Sequence, residues 1–444
     1  MKTFRIGGIH PAENKFSAGK KIITANLPEQ VAIPLAHYIG APSEAVVAKG
    51  EIVKVGQLIG KANGFISANV HASVSGKVNK IDVQLDATGY KRLAVFIDVE
   101  GDEWVETIDR SPLVKRECNL TKEEIIKKIA EAGIVGLGGA TFPAQVKLSP
   151  PPGKKADVLI INAVECESYL TCDHQLMMEK GEEIMVGITI LMKALDVNRA
   201  IVGIENNKKD AISLLHKLAK DFAGVEVIAL KVQYPQGGEK QLIEATIGRQ
   251  VPSGALPIEV GAVVQNVGTT FAVYEAVQKN KPLFERVITI TGKSSKNPGN
   301  YLVRLGTMLS EVVDQAGGVP ANTGKIVGGG PMMGRSLMTL DVPMAKGSAG
   351  VLFIQNKEAI RNKMQNCIRC TKCVIVCPMG LEPYLLMNQS EHEMWTEMEN
   401  NRVMDCIECG SCSYTCPSNR ALLDYIRFGK STVGGILRAR QARK

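Results

Sequence analysis

The sequence predicts a multidomain α/β protein with four parts: a β-rich amino-terminal domain, an α/β domain on a parallel sheet, a small α+β unit and an α-helical carboxyl-terminal domain. Three observations predict it. Residues 30–105 are dense in Val, Ile and Gly with short turn signals. Residues 120–280 alternate apolar strand runs with helical runs. Eight of the 11 cysteines fall between Cys367 and Cys416.

Size and composition set the bounds. At 444 residues the chain is too long for one core. Its 45% apolar and 22% charged residues are those of an ordinary globular protein, which excludes wholesale disorder. The 53 Lys+Arg against 45 Asp+Glu give a mild net charge of +8, suited to an acidic partner, an anionic membrane face or a phosphate-bearing ligand. No aromatic-basic module of the nucleic-acid-binding kind is present, so nucleic acid is not expected as a partner. No run approaches the about 18 apolar residues of a membrane span, and MKTFRIGGIHPAENKF has no apolar signal-peptide core. A cytoplasmic chain is expected, in which cysteines serve as metal ligands more readily than as disulfides.

The elements follow in order. GEIVKVGQLIGKANGFISANVHASVSGKVNKIDV (50–83) reads as short paired strands punctuated by glycine. TKEEIIKKIAEAG (121–133) is helical, with Thr121 as N-cap and Glu124 completing a capping box. DVLIINA (157–163) is a buried strand, followed by a long helix over 178–195. A strand at 199–205, a helix at 208–220 and a strand at 225–232 continue the βαβ rhythm. FERVITITG (284–292) is a strand, and LGTMLSEVVDQAG (305–317) a helix. The basic end GKSTVGGILRARQARK reads as a solvated tail, or as a contact with a partner or membrane.

Cys367-x2-Cys370-x2-Cys373-x3-Cys377-Pro378 and Cys406-x2-Cys409-x2-Cys412-x3-Cys416-Pro417 repeat one pattern. It is the bacterial ferredoxin run, in which the fourth cysteine ligates the other 4Fe–4S cluster. Two-residue spacers let one tight loop wrap three thiolates around a cube. Cluster one is therefore assigned to Cys367, Cys370, Cys373 and Cys416, and cluster two to Cys406, Cys409, Cys412 and Cys377. Structural zinc fits poorly, since it takes four ligands, usually as two C-x2-C pairs at other spacings. Cys118, Cys166 and Cys172 stand apart and read as small buried hydrophobes, unless Cys166 or Cys172 lies near the redox site.

Gly136-Leu137-Gly138-Gly139 follows a helix, so it is not a dinucleotide fingerprint, but its backbone N–H groups suit a phosphate. INAVECE (161–167) lies at the carboxyl end of a strand, where α/β folds place ligands. A second glycine loop, Tyr234-Pro235-Gln236-Gly237-Gly238-Glu239-Lys240, opens a helix, and Gln265-Asn266-Val267-Gly268-Thr269 follows a strand. Four such loops at similar points in the fold suit one pocket for a phosphorylated, ring-bearing ligand.

In that order the motifs resemble the flavin- and NADH-binding subunit of respiratory complex I over residues 115–420, including an SLBB β-grasp-like unit near 284–335. GGIHP (7–11), YPQGGEKQL (234–242) and the paired cysteine runs resemble the C subunit of the Rnf ion-translocating complexes over nearly the whole chain. Residues 50–83 resemble the barrel-sandwich fold of lipoyl carriers, with Asn63-Gly64-Phe65 where a carrier keeps its modifiable lysine. The resemblance implies a Rossmann-like domain with non-covalent FMN bound by Gly136, Gly138, Gly139, Lys147, Asn162, Glu165, Tyr234, Gly237, Gly238, Glu239, Gln265, Asn266 and Thr269. It implies NADH stacked over the flavin near Phe142, with Glu167 and Glu239 contacting the nucleotide. The family's arginine, acid, first glutamate and first asparagine are here Leu137, Val164, Gly238 and Gln265.

The expected divisions are 1–115, an N-terminal segment and the barrel-sandwich domain; 116–283, the FMN/NADH domain; 284–356, the SLBB-like domain; 357–430, the ferredoxin-type domain with its two clusters; and 431–444, a basic tail. The resemblance implies a path between NADH, FMN, the two clusters and a partner, reversible in direction. It implies a peripheral chain on the cytoplasmic side of the cell membrane, with membrane and peripheral subunits of an Rnf-like complex as partners and ferredoxin reached through them. The alternatives are a soluble flavin–iron–sulfur subunit of a hydrogenase-type dehydrogenase, and a ferredoxin-like relay scaffold without flavin.

Overall fold

The computed structural model describes residues 1–442. Residues 30–99 form two antiparallel sheets face to face. One orders strands Gln30–Pro34, Lys91–Val99, Gly76–Leu85 and Ile52–Val53; the other orders Glu44–Ala45, Leu58–Lys61 and Val70–His71. Val31, Ile33, Val53, Ile59, Val78, Val95 and Ile97 are fully buried between them, the filling expected of a small sandwich. The tip with Asn63, Gly64 and Phe65 is exposed.

The second domain has a four-stranded parallel sheet ordered Val225–Leu230, Ala200–Glu205, Val158–Asn162, Ala262–Asn266. Both faces are covered. Leu159 and Ile161 pack under helices Gly181–Leu195 and Val267–Lys279, while Val158 and Ile160 pack under helix Glu239–Ile247. This is why the strands read as unbroken apolar runs. The capping box at Thr121 is present, with Thr121 N donating to Glu124 and Glu124 N to Thr121. The long helix expected over 178–195 is two helices, Cys172–Glu179 and Gly181–Leu195, broken at Lys180. Leu215 and Leu218 of helix Lys209–Ala219 press on Gly181 at the break.

A six-stranded mixed sheet follows, ordered Ile22–Thr24, Gly299–Arg304, Glu285–Gly292, Gly350–Gln355, Thr323–Gly328, Arg335–Ser336. Its edge strand comes from the amino terminus, where Ile22 to Thr24 pair in parallel with Asn300 to Leu302. The expected 1–115 division thus includes residues whose structure belongs elsewhere. The helix expected over 305–317 spans only Leu309–Gln315, because Leu305 and Gly306 are held by backbone bonds to Phe284 and Met344.

The carboxyl-terminal domain packs helices Pro383–Glu391, Trp395–Asn400 and Leu422–Ala442 around Leu386, Met387, Met398, Ile426 and Val433. The basic end expected as a solvated tail continues this last helix to Ala442, and residues 443–444 lie outside the described residues. Val433 and Leu437, four apart, face the core, and Arg440 pairs with Glu399 at 2.8 Å.

Candidate functional site

Strands Val225–Leu230, Ala200–Glu205 and Val158–Asn162 build the sheet in one direction, and Ala262–Asn266 then joins on the other side of Val158–Asn162. The order reverses between those last two strands, and a crevice at such a point is where open α/β sheets bind ligands. Asn162 and Asn266 end these strands and are register partners.

The four predicted loops meet here. Asn162 Nδ2 donates to Gly237 O at 2.8 Å. Asn266 caps helix Val267–Lys279, accepting from Gly268 N at 2.8 Å and Thr269 N at 3.2 Å. Its Nδ2 donates to Asp173 at 2.7 Å. Leu137 N donates to Thr269 Oγ1 at 2.8 Å, and Gly136 N closes the glycine loop on Phe142 O at 2.9 Å. Gly138 leaves no room for a side chain, since a Cβ would lie 2.8 Å from the Asn266 amide. Lys147 Nζ reaches Glu239 at 2.7 Å and Val264 O at 3.2 Å. Gly238 ends the loop before helix Glu239–Ile247. Glu165 accepts from Asp173 N at 2.8 Å and His174 N at 3.2 Å, at the start of helix Cys172–Glu179.

The residues fit a flavin phosphate and ring. Gln265 is 2% exposed, yet its Nε2 has no partner, and a buried amide donor without one costs about 1–3 kcal/mol. Beyond Gly139, the place a Cβ would occupy is open. Lys147 supplies a cation at the end of strand Ala262–Asn266, bonded to Glu239 and Val264 O. A cavity of about 440 Å³ nearby is a different one; it takes in Leu137, Asp173 and Gly268 but none of the predicted flavin or nucleotide residues.

Burial, and then the neighbouring Glu165, push the Asp173 carboxyl up to about 6. A raised carboxyl pKa penalises the folded state once pH exceeds the unfolded value near 4, and the penalty is complete above about 6. Asp173→Asn is therefore expected to stabilise the protein by about 1–3 kcal/mol at pH 8 and by little at pH 4. Thermal unfolding of both proteins across that pH range checks it.

Two of the predicted site residues have partners in neighbouring domains. Glu167 is bonded to the six-stranded-sheet domain. Its carboxylate accepts from Met333 N at 2.7 Å and Met332 N at 3.1 Å, holding the loop after strand Thr323–Gly328. Tyr234 is 2% exposed, and its hydroxyl donates to Cys409 O at 2.8 Å in the cysteine domain. Val164, at the family's acidic position, is fully buried in the core under helix Glu239–Ile247.

In the cysteine domain, helix Lys372–Ile375 packs on Ser411–Thr415 and brings the two runs together. Cys377, Cys406, Cys409 and Cys412 line one small cavity with Leu381 and Ile426. The fourth cysteine of the first run thus sits with three of the second. Burial raises the Cys373 thiol, and Cys416 is the neighbouring cysteine that raises it further. Cys367 and Cys370 are exposed. Of the remaining cysteines, Cys172 is buried and Cys118 packs at the edge of the large core. Cys166 lies beside the site, its sulfur accepting from Gly237 N at 3.4 Å.

Sequence reasoning missed three supports. Lys15 Nζ donates to the carbonyls of Glu165, Glu167 and Leu170 at 2.6–3.0 Å, pinning the loop after strand Val158–Asn162. Lys208 Nζ donates to Val164 O at 2.7 Å. The buried Arg286 donates to Leu137 O at 3.2 Å. Their partners lie 44 to 155 residues away in the chain, and no local signal announces them.

Comparison with known families matches the chain in four stretches. Residues 2–102 match the RnfC barrel sandwich hybrid domain, 129–275 the Nuo51 FMN-binding domain, 287–336 the SLBB domain and 359–417 a 4Fe-4S dicluster domain. The chain is 47% identical over 434 residues to the C subunit of the proton-translocating ferredoxin:NAD(+) oxidoreductase complex of Clostridium ljungdahlii, covering 97% of this chain and 94% of that one. It is 44% identical to the C subunit of the Na(+)-translocating ferredoxin:NAD(+) oxidoreductase complex of Acetobacterium woodii, covering 97% of each. It is 39% identical over 392 residues to the C subunit of the ion-translocating oxidoreductase complex of Rhodobacter capsulatus, covering 87% of this chain and 75% of that one. With its four domains in this order and this identity over nearly its full length, the chain belongs to the RnfC family, the C subunits of the Rnf ion-translocating oxidoreductase complexes.

Proposed function

We propose that this chain is the peripheral electron-transfer subunit of a membrane-bound, ion-translocating NADH:ferredoxin oxidoreductase, on the cytoplasmic face of the membrane. The observation that carries the proposal is one loop, residues 234–239, that touches both halves of the site. Gly237 and Glu239 bond to Asn162 and Lys147 in the crevice, and Tyr234 bonds to the cysteine domain. Bound flavin supplies the conversion between a hydride pair and single electrons that iron–sulfur clusters accept.

The chain's own residues bind and orient. Gly136, Gly138 and Gly139 leave room for the flavin, Lys147 balances phosphate charge, and Gln265 and Asn266 offer amides at the strand ends. Phe142 and Glu239 border the space for the nicotinamide nucleotide. Cys367, Cys370, Cys373 and Cys416 hold one cluster, and Cys377, Cys406, Cys409 and Cys412 the other. No helix among the described residues is long and apolar enough to cross a membrane, so the proposal assigns ion translocation to partner subunits. The test is anaerobic purification with iron, sulfide and flavin quantified, then NADH addition. About eight irons and one FMN per chain with NADH-dependent bleaching are expected; absent flavin and absent bleaching reject the proposal.

A partner is expected to meet the cluster formed by Cys367, Cys370 and Cys373. Around these residues Ile368 is 68% and Ile375 67% exposed. The run 357–375 carries Lys357, Arg361, Lys363, Arg369 and Lys372 against the single acid Glu358. That charge suits an acidic iron–sulfur partner. Arg369→Glu with Lys372→Glu is expected to weaken retention of the chain on vesicles bearing the other subunits by about tenfold or more at low salt, and by much less at about 0.5 M salt. A sedimentation assay measures it.

A further inference from the structure

Residues 2–9 run along the seam between the parallel-sheet domain and the cysteine domain. Lys2 bridges to Leu230, and Ile9 to Tyr234 through two backbone hydrogen bonds of 2.9 Å. Gln233 Nε2 donates to Gly7 O at 2.8 Å. The same segment then grips the cysteine domain. Gly8 N donates to Val376 O at 2.9 Å. Gly7 has φ +74°, and a Cβ on it would lie 2.6 Å from the carbonyl carbon of Cys377 and 2.7 Å from Pro378 N. Only glycine allows that approach. Nearby, Gln241 Nε2 donates to Pro378 O at 3.2 Å, and the Tyr234 hydroxyl donates to Cys409 O at 2.8 Å.

All of these contacts land on Val376, Cys377, Pro378 or Cys409, and so on one set of cysteines. Among the described residues, no hydrogen bond joins the parallel-sheet domain to Cys367, Cys370, Cys373 or Cys416. We infer that the strap of Gly7, Gly8 and Ile9, with Tyr234, is a positioning device that fixes the Cys377/Cys406/Cys409/Cys412 set against the flavin loop, making it the flavin-proximal centre and the other set the distal one. The inference rests on the proposal that this chain carries flavin and two clusters. Tyr234 begins the loop whose Gly237 and Glu239 border the crevice, so one short segment sets the separation between the two redox sites. Its hydroxyl also donates to the backbone carbonyl of the cluster ligand Cys409 in a buried setting, so removing it leaves that carbonyl's negative end uncompensated near the cluster, which is expected to lower its reduction potential.

The test uses the full chain, reconstituted anaerobically, with the midpoint potential of each cluster read by EPR-monitored titration. Cys412→Ala and Cys370→Ala assign the two signals. Tyr234→Phe keeps the ring and removes one donor. It is expected to lower the potential of the Cys412 cluster and leave that of the Cys370 cluster unmoved, with iron and flavin contents unchanged. Gly7→Ala is expected to make the Cys412 cluster labile, iron falling from about eight toward about four per chain while the Cys370 signal persists. The inference is overturned if Tyr234→Phe moves both potentials together or neither, or if Gly7→Ala loses the Cys370 signal first. A wild-type chain without flavin or with about four irons rejects the functional proposal itself, so the two failures are told apart.

Discussion

Cys377→Ala is expected to abolish the cluster otherwise held by Cys406, Cys409 and Cys412, and to leave the one held by the three cysteines preceding Cys377. Cys377 closes the first run, yet the ferredoxin-type spacing already assigns it to the second cluster. The structure sets its thiol in the cavity lined by the second. The loss of one thiolate leaves three ligands on a cluster that needs four. Because ligand binding is coupled to the folding of so small a domain, the effect reaches packing as well. Iron is expected to fall from about eight to about four per chain, and the EPR signal that disappears is the one lost in Cys406→Ala. Cys416→Ala is expected to behave like Cys370→Ala. If Cys377→Ala instead removes the same signal as Cys370→Ala, each run serves its own cluster and the crossed arrangement is wrong.

Glu167→Ala is expected to destabilise the chain by about 2–4 kcal/mol, with a smaller effect on affinity for NADH. The carboxylate takes two backbone N–H groups, those of Met332 and Met333, and burial raises its pKa despite them. The part-buried Met332 N left without a partner costs about 1–3 kcal/mol, and the lost bond to the exposed Met333 N about 1 kcal/mol more. Glu167→Gln keeps one carbonyl oxygen in place and is expected to recover about half of the loss. Met332 packs in the cluster formed by Ile9, Tyr234 and Cys409, so a loosened loop also loosens the domain seam. Urea unfolding and NADH titration of both variants separate a structural role from a nucleotide contact. A large loss of affinity with stability unchanged would restore the nucleotide role.

Glu167 shows where sequence reading reaches its limit, and Cys377 where it does not. Local signals survive: the Thr121 capping box, the apolar runs of the parallel strands and the cysteine spacing are all settled within a few neighbours. The meeting of the four loops at Asn162 and Asn266 is also legible, because strand ends in a βαβ fold share one rim. The direction a side chain takes from that rim is not. Glu167 and Tyr234 lie on the expected loops, yet each turns toward a neighbouring domain, and residue type does not distinguish those two uses. The basic carboxyl terminus misleads for a related reason. Arginine and lysine dominate its composition, whereas the four-residue spacing of Val433 and Leu437 decides its fate.

The edge strand Ile22–Thr24 belongs to a sheet whose partner strand is Gly299–Arg304. On a ribosome adding about 5–20 residues per second, the first of these waits roughly 15–60 s for the second. Throughout that interval the nascent chain offers an unpaired edge to any strand it meets, its own or another's. Fragments spanning only residues 284–356 would leave the edge of Gly299–Arg304 permanently unpaired and are expected to self-associate, whereas supplying residues 1–30 as a separate peptide is expected to restore their solubility.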